Sequence, residues 1–388
     1  MNTSNSQSVK IDNMKLVVER LIELRESSRI ELARLTTLNK ATISSIINEL
    51  VEKEIVIETD KNIKTSGRSA KVVALNKNAG RIISIELLTD SLYGVVTNLY
   101  GQILYELRKD VPDPEFNPYL AILLQAIDEL RANTKDSTYG VIGIGIGVYG
   151  ILSKQKRIKF ATFTSWKDID LKQIIEDYTG IETYVENEAN ISALGEHVIS
   201  PQTDNLVSLN IGIGVGMGII IDNRLYTGEN GYAGEIGHTI VVPNGRKCVC
   251  GNYGCLEKYI SNPAIVQSYY ELSGETIDLD QFVELYKHKD AHACKIYQQF
   301  IDYVALTINN ISLTLNPKTI VINSQIIEKI PESVSLIKNK LRSQIMNLEV
   351  LSTSSFPSKT NVMGLTHVLI QKFLNVEHYK IPATSKSR

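Results

Sequence analysis

Two apolar stretches interrupted by regularly spaced glycines constrain the fold of this chain most. Residues 141–149 carry a glycine at every second position from Gly143 to Gly147, and residues 206–221 repeat the pattern from Gly212 to Gly218. A period of two indicates β-strands, and glycine within a strand marks a close approach to the backbone. Neither stretch has the roughly 18 uninterrupted apolar residues of a membrane helix. This recurrence predicts a duplicated α/β fold with two lobes and a ligand cleft between them.

Length and composition limit the domain organisation. At 388 residues the chain exceeds a single core, and its net charge of −2 argues against extensive coating of nucleic acid. The first fourteen residues lack the apolar core of a signal peptide, so we expect a cytoplasmic protein. We predict an N-terminal domain at residues 1–76, a first α/β lobe at 77–199 completed by a C-terminal helix at 364–378, and a second lobe at 200–363.

The N-terminal domain has the pattern of a small helical module. Apolar residues at helical spacing around Leu21 predict a first helix, and Ser28 followed by Glu31 predicts a capping box for a second helix that turns Ile30 and Leu35 inward. Asn39 is a suitable N-cap for a third helix, whose apolar face is formed by Ile43, Ile46, Ile47 and Leu50.

The remaining face of the third helix and the segment after it predict DNA binding. Small polar and basic side chains suit the major groove, and a basic, glycine-containing hairpin tip suits phosphates or the minor groove. The residues expected to contact DNA are Lys40, Thr42, Ser44, Ser45, Asn48 and Arg68. The pattern is that of a winged helix-turn-helix domain. The alternative is a three-helix protein-interaction module, since such bundles with polar outer faces are common and the weakly positive charge of this segment does not decide between the two.

The segment from residue 234 to residue 257 offers two kinds of chemistry. Its histidine and three cysteines form a nitrogen and sulfur set that suits a structural zinc and leaves no position for catalysis. The four ligands are His238, Cys248, Cys250 and Cys255. Disulfides between such near neighbours are strained, and Cys294 is the only other cysteine, so a metal is favoured over a disulfide. Glu235, His238 and Glu257 are polar groups of the kind that bind sugar hydroxyls.

Three segments resemble the ROK family (repressors, open reading frames and sugar kinases). Residues 185–196, which begin Val-Glu-Asn-Glu-Ala-Asn and end Ala-Leu-Gly-Glu, resemble its N-D-A-N-x-x-A-x-G-E segment. Residues 228–238 resemble its G-x-x-G-x-A-G-E-x-G-H segment, and residues 248–257 resemble its zinc loop. The resemblance covers nearly the whole chain, and it implies a two-lobed actin/sugar-kinase-like body behind the N-terminal domain.

The resemblance also implies a monosaccharide site. In the family, sugar contacts fall on the residues that match Asn187, Glu188, Glu235, His238 and Glu257. One ring nitrogen of the histidine would bind zinc while the other faces the sugar. In the kinases, the aspartate of N-D-A-N is the base that deprotonates the sugar hydroxyl, and this chain has Glu188 at that position.

Three elements that handle phosphate in the family's kinases are altered here. Residues 86–89 read Glu-Leu-Leu-Thr where the kinases have D-x-G-G-T, Ile213 replaces the threonine of G-T-G, and Asn323-Ser324 stands where glycines follow a late strand. Phosphoryl transfer depends on glycines that let backbone N–H groups reach the phosphates. The joint loss of these three elements predicts a non-enzymatic protein with no catalytic residues.

The sequence therefore predicts a repressor that binds a palindromic operator as a homodimer, is released or modulated by a monosaccharide, and has no membrane partner. Xylose is the favoured effector, because a glutamate at residue 188 together with broken phosphate motifs is typical of family members that respond to xylose. The alternatives are an active ATP-dependent sugar kinase with an added head, a repressor that responds to glucose or N-acetylglucosamine, and a repressor controlled by a protein partner.

Overall fold

The computed structural model describes residues 3–65, 68–161, 165–199, 203–357 and 359–377. Contacts divide the chain into two units. The first comprises Met1–Tyr149, Phe163–Glu186 and Val362–Arg388, and the second comprises Gly150–Thr162 and Asn187–Asn361. Residues 150–162 and 187–199, which we expected in the first lobe, thus group with the second unit. In the described ranges, no helix has the length and apolar character that crossing a membrane requires.

Three helices and a short β-sheet form the head of the first unit. The elements are α1 (Thr3–Leu24), β1 (Glu26–Ser28), α2 (Arg29–Thr36), α3 (Lys40–Glu52), β2 (Val56–Thr65) and β3 (Arg68–Leu75). The strands pair in the order β1-β3-β2. The apolar faces of the three helices meet in a small core. Its buried members include Val17, Leu21, Leu32, Ile43, Ile47 and Leu50.

The helix starts follow the sequence signals. The Ser28 hydroxyl accepts the Glu31 N–H at 3.2 Å, and the Asn39 side chain accepts the Thr42 N–H at 2.8 Å. The capping box is incomplete, because the Glu31 carboxylate instead accepts the Ser27 hydroxyl at 3.0 Å. Thr37, between α2 and α3, has a φ of 59°. This left-handed conformation is strained for a β-branched residue, which explains how the connection turns without a glycine.

The expectation that α2 turns Ile30 and Leu35 inward is wrong. Their side chains are 49% and 38% exposed, whereas Leu32 is fully buried. The helix is only eight residues long and begins at Arg29, so Leu32 is its central apolar residue. Strand β1, which precedes the helix and pairs with β3, has no counterpart in the sequence prediction.

A pair of lysines stabilises α3 through one carboxylate. Lys10 of α1 and Lys53 lie 2.7 and 2.9 Å from the two carboxylate oxygens of Glu49. The hydrogen bond from Lys10 and then that from Lys53 lower the pKa of Glu49 to about 2. The carboxylate therefore ties α1 to α3 in its ionised form.

The body of the first unit is built on a five-stranded sheet. Its members in chain order are β4 (Arg81–Leu87), β5 (Ser91–Thr97), β6 (Ile103–Asp110), β7 (Val141–Val148) and, further along the chain, β10 (Thr183–Asn187). The strand order is β10-β7-β4-β5-β6. Three helices accompany these strands: α4 (Phe116–Ala132), α5 (Leu171–Thr179) and α13 (Thr360–Leu374). The predicted helix at 364–378 corresponds to α13. A side chain at Gly145 would place its Cβ 2.9 Å from Leu365 of α13, so glycine in β7 admits this helix.

The second unit repeats the plan with a second five-stranded sheet. Its strands are β8 (Gly150–Leu152) and β9 (Ile158–Ala161), which pair separately, and β11 (Leu206–Ile211), β12 (Val215–Ile221), β13 (Arg224–Leu225), β14 (Thr319–Ser324) and β15 (Val350–Thr353). The order of the larger sheet is β13-β12-β11-β14-β15. The helices are α6 (Glu188–Ile199), α7 (Glu257–Ile260), α8 (Asn262–Ser273), α9 (Leu279–Lys287), α10 (Ala291–Leu315), α11 (Gln325–Lys329) and α12 (Ser333–Lys340).

Helix α6 lies on the second sheet because β12 contains glycines. A Cβ at Gly216 would approach that of Ala189 to 3.0 Å, and a Cβ at Gly218 would approach that of Ala193 to 2.5 Å. The alternating glycines therefore allow the helix backbone to pack directly on the strand. This packing fixes the position of Glu188, the first residue of α6.

The head is fastened to the body of the first unit by polar and aromatic contacts. The Arg25 guanidinium lies 4.6 Å from the ring centre of Tyr100, and the Tyr100 hydroxyl donates to the Leu75 carbonyl at 3.2 Å. On another side, the Tyr139 hydroxyl donates to the Lys53 carbonyl at 2.8 Å. These contacts involve residues at the ends of α1, α3 and β3, so the head is held at several of its elements.

Candidate functional site

A histidine and three cysteines converge in the second unit. Their ligand atoms all lie within 4.8 Å of one another. The four residues are His238, Cys248, Cys250 and Cys255. The Nδ1 atom of His238 is 3.6 Å from the sulfur of Cys248, and the sulfurs of Cys250 and Cys255 are also 3.6 Å apart. These residues could hold a metal ion. Cys294, the remaining cysteine, is not part of the group.

The backbone of the loop brings these ligands together. Isolated β-bridges pair Ile240 with Cys255 and Lys247 with Tyr253, and the Cys248 N–H donates to the Asn252 carbonyl at 2.8 Å. Burial raises the pKa of the Cys255 thiol to about 12. A cation is the usual means of stabilising thiolates in such a cluster, so the donor set fits a metal site.

One carboxylate lies beside the same histidine, and a second carboxylate interacts with the first. The Nε2 atom of His238 lies 3.9 Å from a carboxylate oxygen of Glu235, so the two ring nitrogens face different groups. Burial raises the pKa of Glu235; His238 opposes this shift and the charge of Glu257 adds to it. The carboxylate of Glu257 lies against Gly214, where a Cβ would be 3.2 Å from its Oε2 atom. Three of the predicted sugar-binding residues therefore form one electrostatically coupled group.

Strand β12 supports this group. The Met217 N–H donates to the Gly234 carbonyl at 2.9 Å, and Gly234 has a φ of 100°. A side chain at Gly234 would collide with the Met217 carbonyl. Glycine at residue 234 thus lets the segment that carries Glu235 run against the strand on which α6 also packs.

Asn187 has a structural role at the start of α6. Its Oδ1 atom accepts the N–H groups of Ala189 at 2.8 Å and Asn190 at 3.4 Å, and its Nδ2 atom donates to the Gly150 carbonyl at 2.7 Å. The amide therefore caps the helix and ties its first turn to β8. This geometry fixes the backbone from which Glu188 projects.

The end of the segment at residues 185–196 packs against the first residue of α13. A Cβ at Gly195 would lie 2.7 Å from the Cγ2 atom of Thr360, and the Thr360 hydroxyl donates to the Glu196 carboxylate at 3.4 Å. Burial raises the pKa of Glu196, against the opposing effect of hydrogen bonds from Ser354 and Thr360. The Gly195-Glu196 pair is thus a packing element.

Glu188 belongs to a buried polar network that the sequence reasoning missed. The Asn210 amide donates to Glu188 Oε1 at 2.8 Å, and its own Oδ1 atom lies 2.9 Å from the Asn323 amide nitrogen. Ser192 and Ser208 complete the network. The spacing contains a signal, since residues 188 and 192 are one helical turn apart and residues 208 and 210 share a strand face. The sequence does not show which strand faces which helix.

Side chains occupy two of the altered phosphate-handling elements. The amide nitrogen of Asn323 contacts Ser192 at 2.8 Å, Ser208 at 2.9 Å and Asn210 at 2.9 Å. In the first unit, Glu86 accepts the Tyr149 hydroxyl at 3.2 Å. At residue 323 a side-chain contact thus replaces the open backbone that a glycine would provide, and at residue 86 the carboxylate at the position of the kinase aspartate accepts a hydrogen bond from a tyrosine.

The predicted DNA-contacting residues lie on α3 and on the hairpin. Lys40, Ser45 and Asn48 are exposed, and Thr42 and Ser44 are half-buried. The side chains of residues 62–70, Arg68 among them, and the backbone of residues 66 and 67 lie outside the described part of the structure. Lys61, on the first strand of the hairpin, pairs with Glu26 at 2.8 Å.

The two α/β units define the chain as a protein of the actin/sugar-kinase-like class, with an added helical head. The profile of the ROK family matches residues 82–372. The chain belongs to the ROK family.

Named relatives are similar over much or nearly all of the chain. It is 32% identical over 382 residues to the xylose repressor of Bacillus spizizenii, covering 97% of this chain and 99% of the relative. It is 27% identical over 271 residues to the transcriptional dual regulator NagC of Escherichia coli, covering 69% of this chain and 67% of the relative.

Solved structures support the same architecture. A ROK family transcriptional regulator, a homologue of the E. coli MLC protein, matches with a TM-score of 0.78 and 25% identity over 94% of this chain and 98% of that chain. A ROK family glucokinase from Streptomyces griseus, in complex with glucose and AMPPNP, matches with a TM-score of 0.64 and 23% identity over 74% of this chain and 99% of that chain. At this level of identity, the match to the kinase supports the fold of this chain and says nothing about its activity.

Proposed function

We propose that this protein is a sugar-responsive transcriptional repressor whose effector is xylose. The observation that carries the proposal is the coupled group of Glu235, His238 and Glu257 beside the cysteine cluster, because carboxylates and an imidazole suit sugar hydroxyls. The similarity to repressors named for xylose supports the choice of sugar. Repression in this proposal takes place in the cytoplasm, where the operator lies.

The altered phosphate elements argue for a sensor over an enzyme. A kinase site needs backbone N–H groups that cradle the phosphates and a polar residue that orients them. Here Asn323 is committed to a side-chain network, Glu86 is bonded to Tyr149, and Ile213 carries no hydroxyl. These features support sugar binding without phosphoryl transfer, and they make residual kinase activity the alternative to test.

A structural zinc is the metal that suits the cluster best. Three thiolates and one imidazole satisfy its tetrahedral preference and leave no open position, so the metal would supply rigidity and no catalysis. Cys248, Cys250, Cys255 and the Nδ1 atom of His238 would hold it. With Nδ1 so occupied, the Nε2 atom stays on the side of Glu235, where it would donate to a sugar hydroxyl.

The head is proposed to be a winged helix-turn-helix DNA-binding domain at residues 1–76. Helix α3 would enter the major groove with Ser45 and Asn48 toward base edges, while the hairpin meets the phosphates. Two copies of the chain would read a palindromic operator, because a two-fold protein matches a two-fold site.

The contacts of the head suggest how a sugar signal reaches DNA. Arg25 and Tyr139 fasten the head to the body of the first unit, whereas the proposed sugar residues belong to the second unit. A sugar that binds one state of the body more tightly than the other would shift the population of states and with it the placement of the heads. Effector and operator must then weaken each other by the same factor.

Two experiments test this proposal. Incubation with ATP and xylose, glucose or N-acetylglucosamine measures ADP release, and we expect no turnover. Turnover at an ordinary kinase rate, about 1–100 per second, would establish the kinase alternative. Calorimetry with the same sugars tests binding, and Glu257→Ala should abolish it. Equal binding by this variant and the unaltered protein would place the sugar away from Glu257, whereas a repressor controlled by a protein partner would bind none of these sugars.

A further inference from the structure

A buried polar network in the second unit fixes the carboxylate of Glu188. Ser208, Ser192 and Asn210 are 0%, 2% and 5% exposed. Ser192 lies one turn after Glu188 on α6, Ser208 and Asn210 face the same side of β11, and Asn323 pairs with Asn210 in the register of β11 and β14. Three separate elements thus contribute to one cluster.

Contacts on both sides favour one arrangement of the Asn210 amide. Its Oδ1 atom lies 3.0 Å from the Ser192 hydroxyl, 3.1 Å from the Ser208 hydroxyl and 2.9 Å from the Asn323 amide nitrogen. The amide nitrogen of Asn323 can only donate, so the Asn210 oxygen must face it. A reversed Asn210 amide would place two N–H donors opposite each other and turn its oxygen toward a carboxylate. The Nδ2 atom of Asn210 is therefore held as a donor toward Glu188.

This donor fixes the orientation of the Glu188 carboxylate. Asn210 Nδ2 lies 2.8 Å from Glu188 Oε1. A hydrogen bond from an amide restricts the rotation of a carboxylate. The carboxylate is thereby pre-organised as a hydrogen-bond acceptor, which lowers the cost of ordering it when a ligand binds.

Asn323 stands where the family's kinases have a glycine, and its side chain completes the polar network. The family resemblance places a phosphate-handling glycine at this position in kinases, whereas here the side chain donates into the network from β14. The same substitution therefore removes a flexible backbone element and braces Asn210. An element that binds phosphate in the kinases therefore supports the proposed sugar-binding residues in this protein.

We propose that Asn210, held by Ser192, Ser208 and Asn323, is the positioning residue that presents Glu188 to the effector sugar. This inference rests on the proposed function of a sugar sensor. It predicts that affinity for the sugar depends on the donor and acceptor polarity of the 188–210 pair, beyond any effect on stability.

A reversed pair tests the proposal. In full-length protein, xylose affinity is measured by calorimetry for Asn210→Asp, Glu188→Gln and the double variant, with urea unfolding as the measure of stability. Asn210→Asp places two carboxylates together, and we expect roughly tenfold to hundredfold weaker binding. In the double variant the new amide at residue 188 donates to the new carboxylate at residue 210. The affinity for xylose should therefore be at least tenfold higher than that of Asn210→Asp alone. Asn310→Asp, at an exposed position on α10, is the matched control and should bind as the original protein does.

The outcomes separate the two proposals. If the unaltered protein binds none of xylose, glucose and N-acetylglucosamine, the proposed function fails and this inference fails with it. If it binds xylose but the two substitutions combine additively, only the positioning role is overturned. Should Asn210→Asp not fold, Asn323→Ala serves instead, because it removes the brace without touching Glu188. It should weaken binding about threefold to tenfold, and unchanged affinity would overturn the proposal.

Discussion

Substitution of Gly218 by alanine probes the packing that positions the site. The added Cβ would lie 2.5 Å from the Cβ of Ala193 and would collide with the Ala189 carbonyl. Both of these neighbours belong to α6. Relief of the collision requires α6 to move by roughly 1 Å, because one obstacle is backbone and cannot rotate away. Gly212 is the matched control: a Cβ there meets nothing within 4 Å, and its φ is not in the left-handed region.

The expected cost follows from these distances. Overpacking of this kind destabilises a protein by about 1–3 kcal/mol, and urea unfolding of both variants measures it. Gly212→Ala should be neutral or stabilising by about 0.5 kcal/mol, because it only restricts the unfolded chain. A shift of α6 also displaces Glu188, and binding sites tolerate only about 0.5 Å of error, so Gly218→Ala should weaken xylose binding at least tenfold. Equal stability and equal affinity in the two variants would refute the packing argument.

Three further predictions concern the metal cluster and the head. Cys250→Ser should lower the zinc content measured by mass spectrometry and abolish the sugar response, whereas Cys294→Ser should change neither. Arg68→Ala should weaken operator binding and reduce the slope of log affinity against log salt concentration by about one. Ser45→Ala should instead change the preferred bases in binding-site selection. Identical effects of the two substitutions would contradict the assignment of Arg68 to phosphates and Ser45 to base edges. Glu49→Gln should cost about 1 kcal/mol or less at pH 7, since its pairs are solvent-accessible. Because the pKa of Glu49 falls from 4.5 to about 2 on folding, its contribution is present above pH 4.5 and is lost as the pH falls toward 2, so the difference in urea midpoint should shrink over that range.

Signals local in sequence predicted most of the elements. Ser28 and Asn39 were correct caps because an N-cap depends on residues two or three positions away. The glycines of β7 and β12 indicated close approach, although not that α13 and α6 are the helices that approach. Ile30 was misplaced because a helix of eight residues has too few positions for periodicity to select the buried face.

Relations between distant segments were not available from the sequence. Asn323 was recognised as a lost glycine, but its contact with Asn210 depends on the parallel pairing of β11 with β14, more than a hundred residues away. The cysteine cluster was predictable because its ligands lie close together in the chain. The family assignment was confirmed by the profile match, while the sugar-binding roles stay predictions.

The central claim is that a sugar acts on this protein as a signal and not as a substrate. It is tested most directly by fluorescence anisotropy on a labelled palindrome that the protein selects from a random DNA pool. Titration with xylose should lower the operator affinity at least tenfold, with the same result whether or not ATP is present and with no sugar phosphate formed. An operator affinity unaffected by every sugar, or phosphorylation of xylose at a kinase rate, would contradict the account.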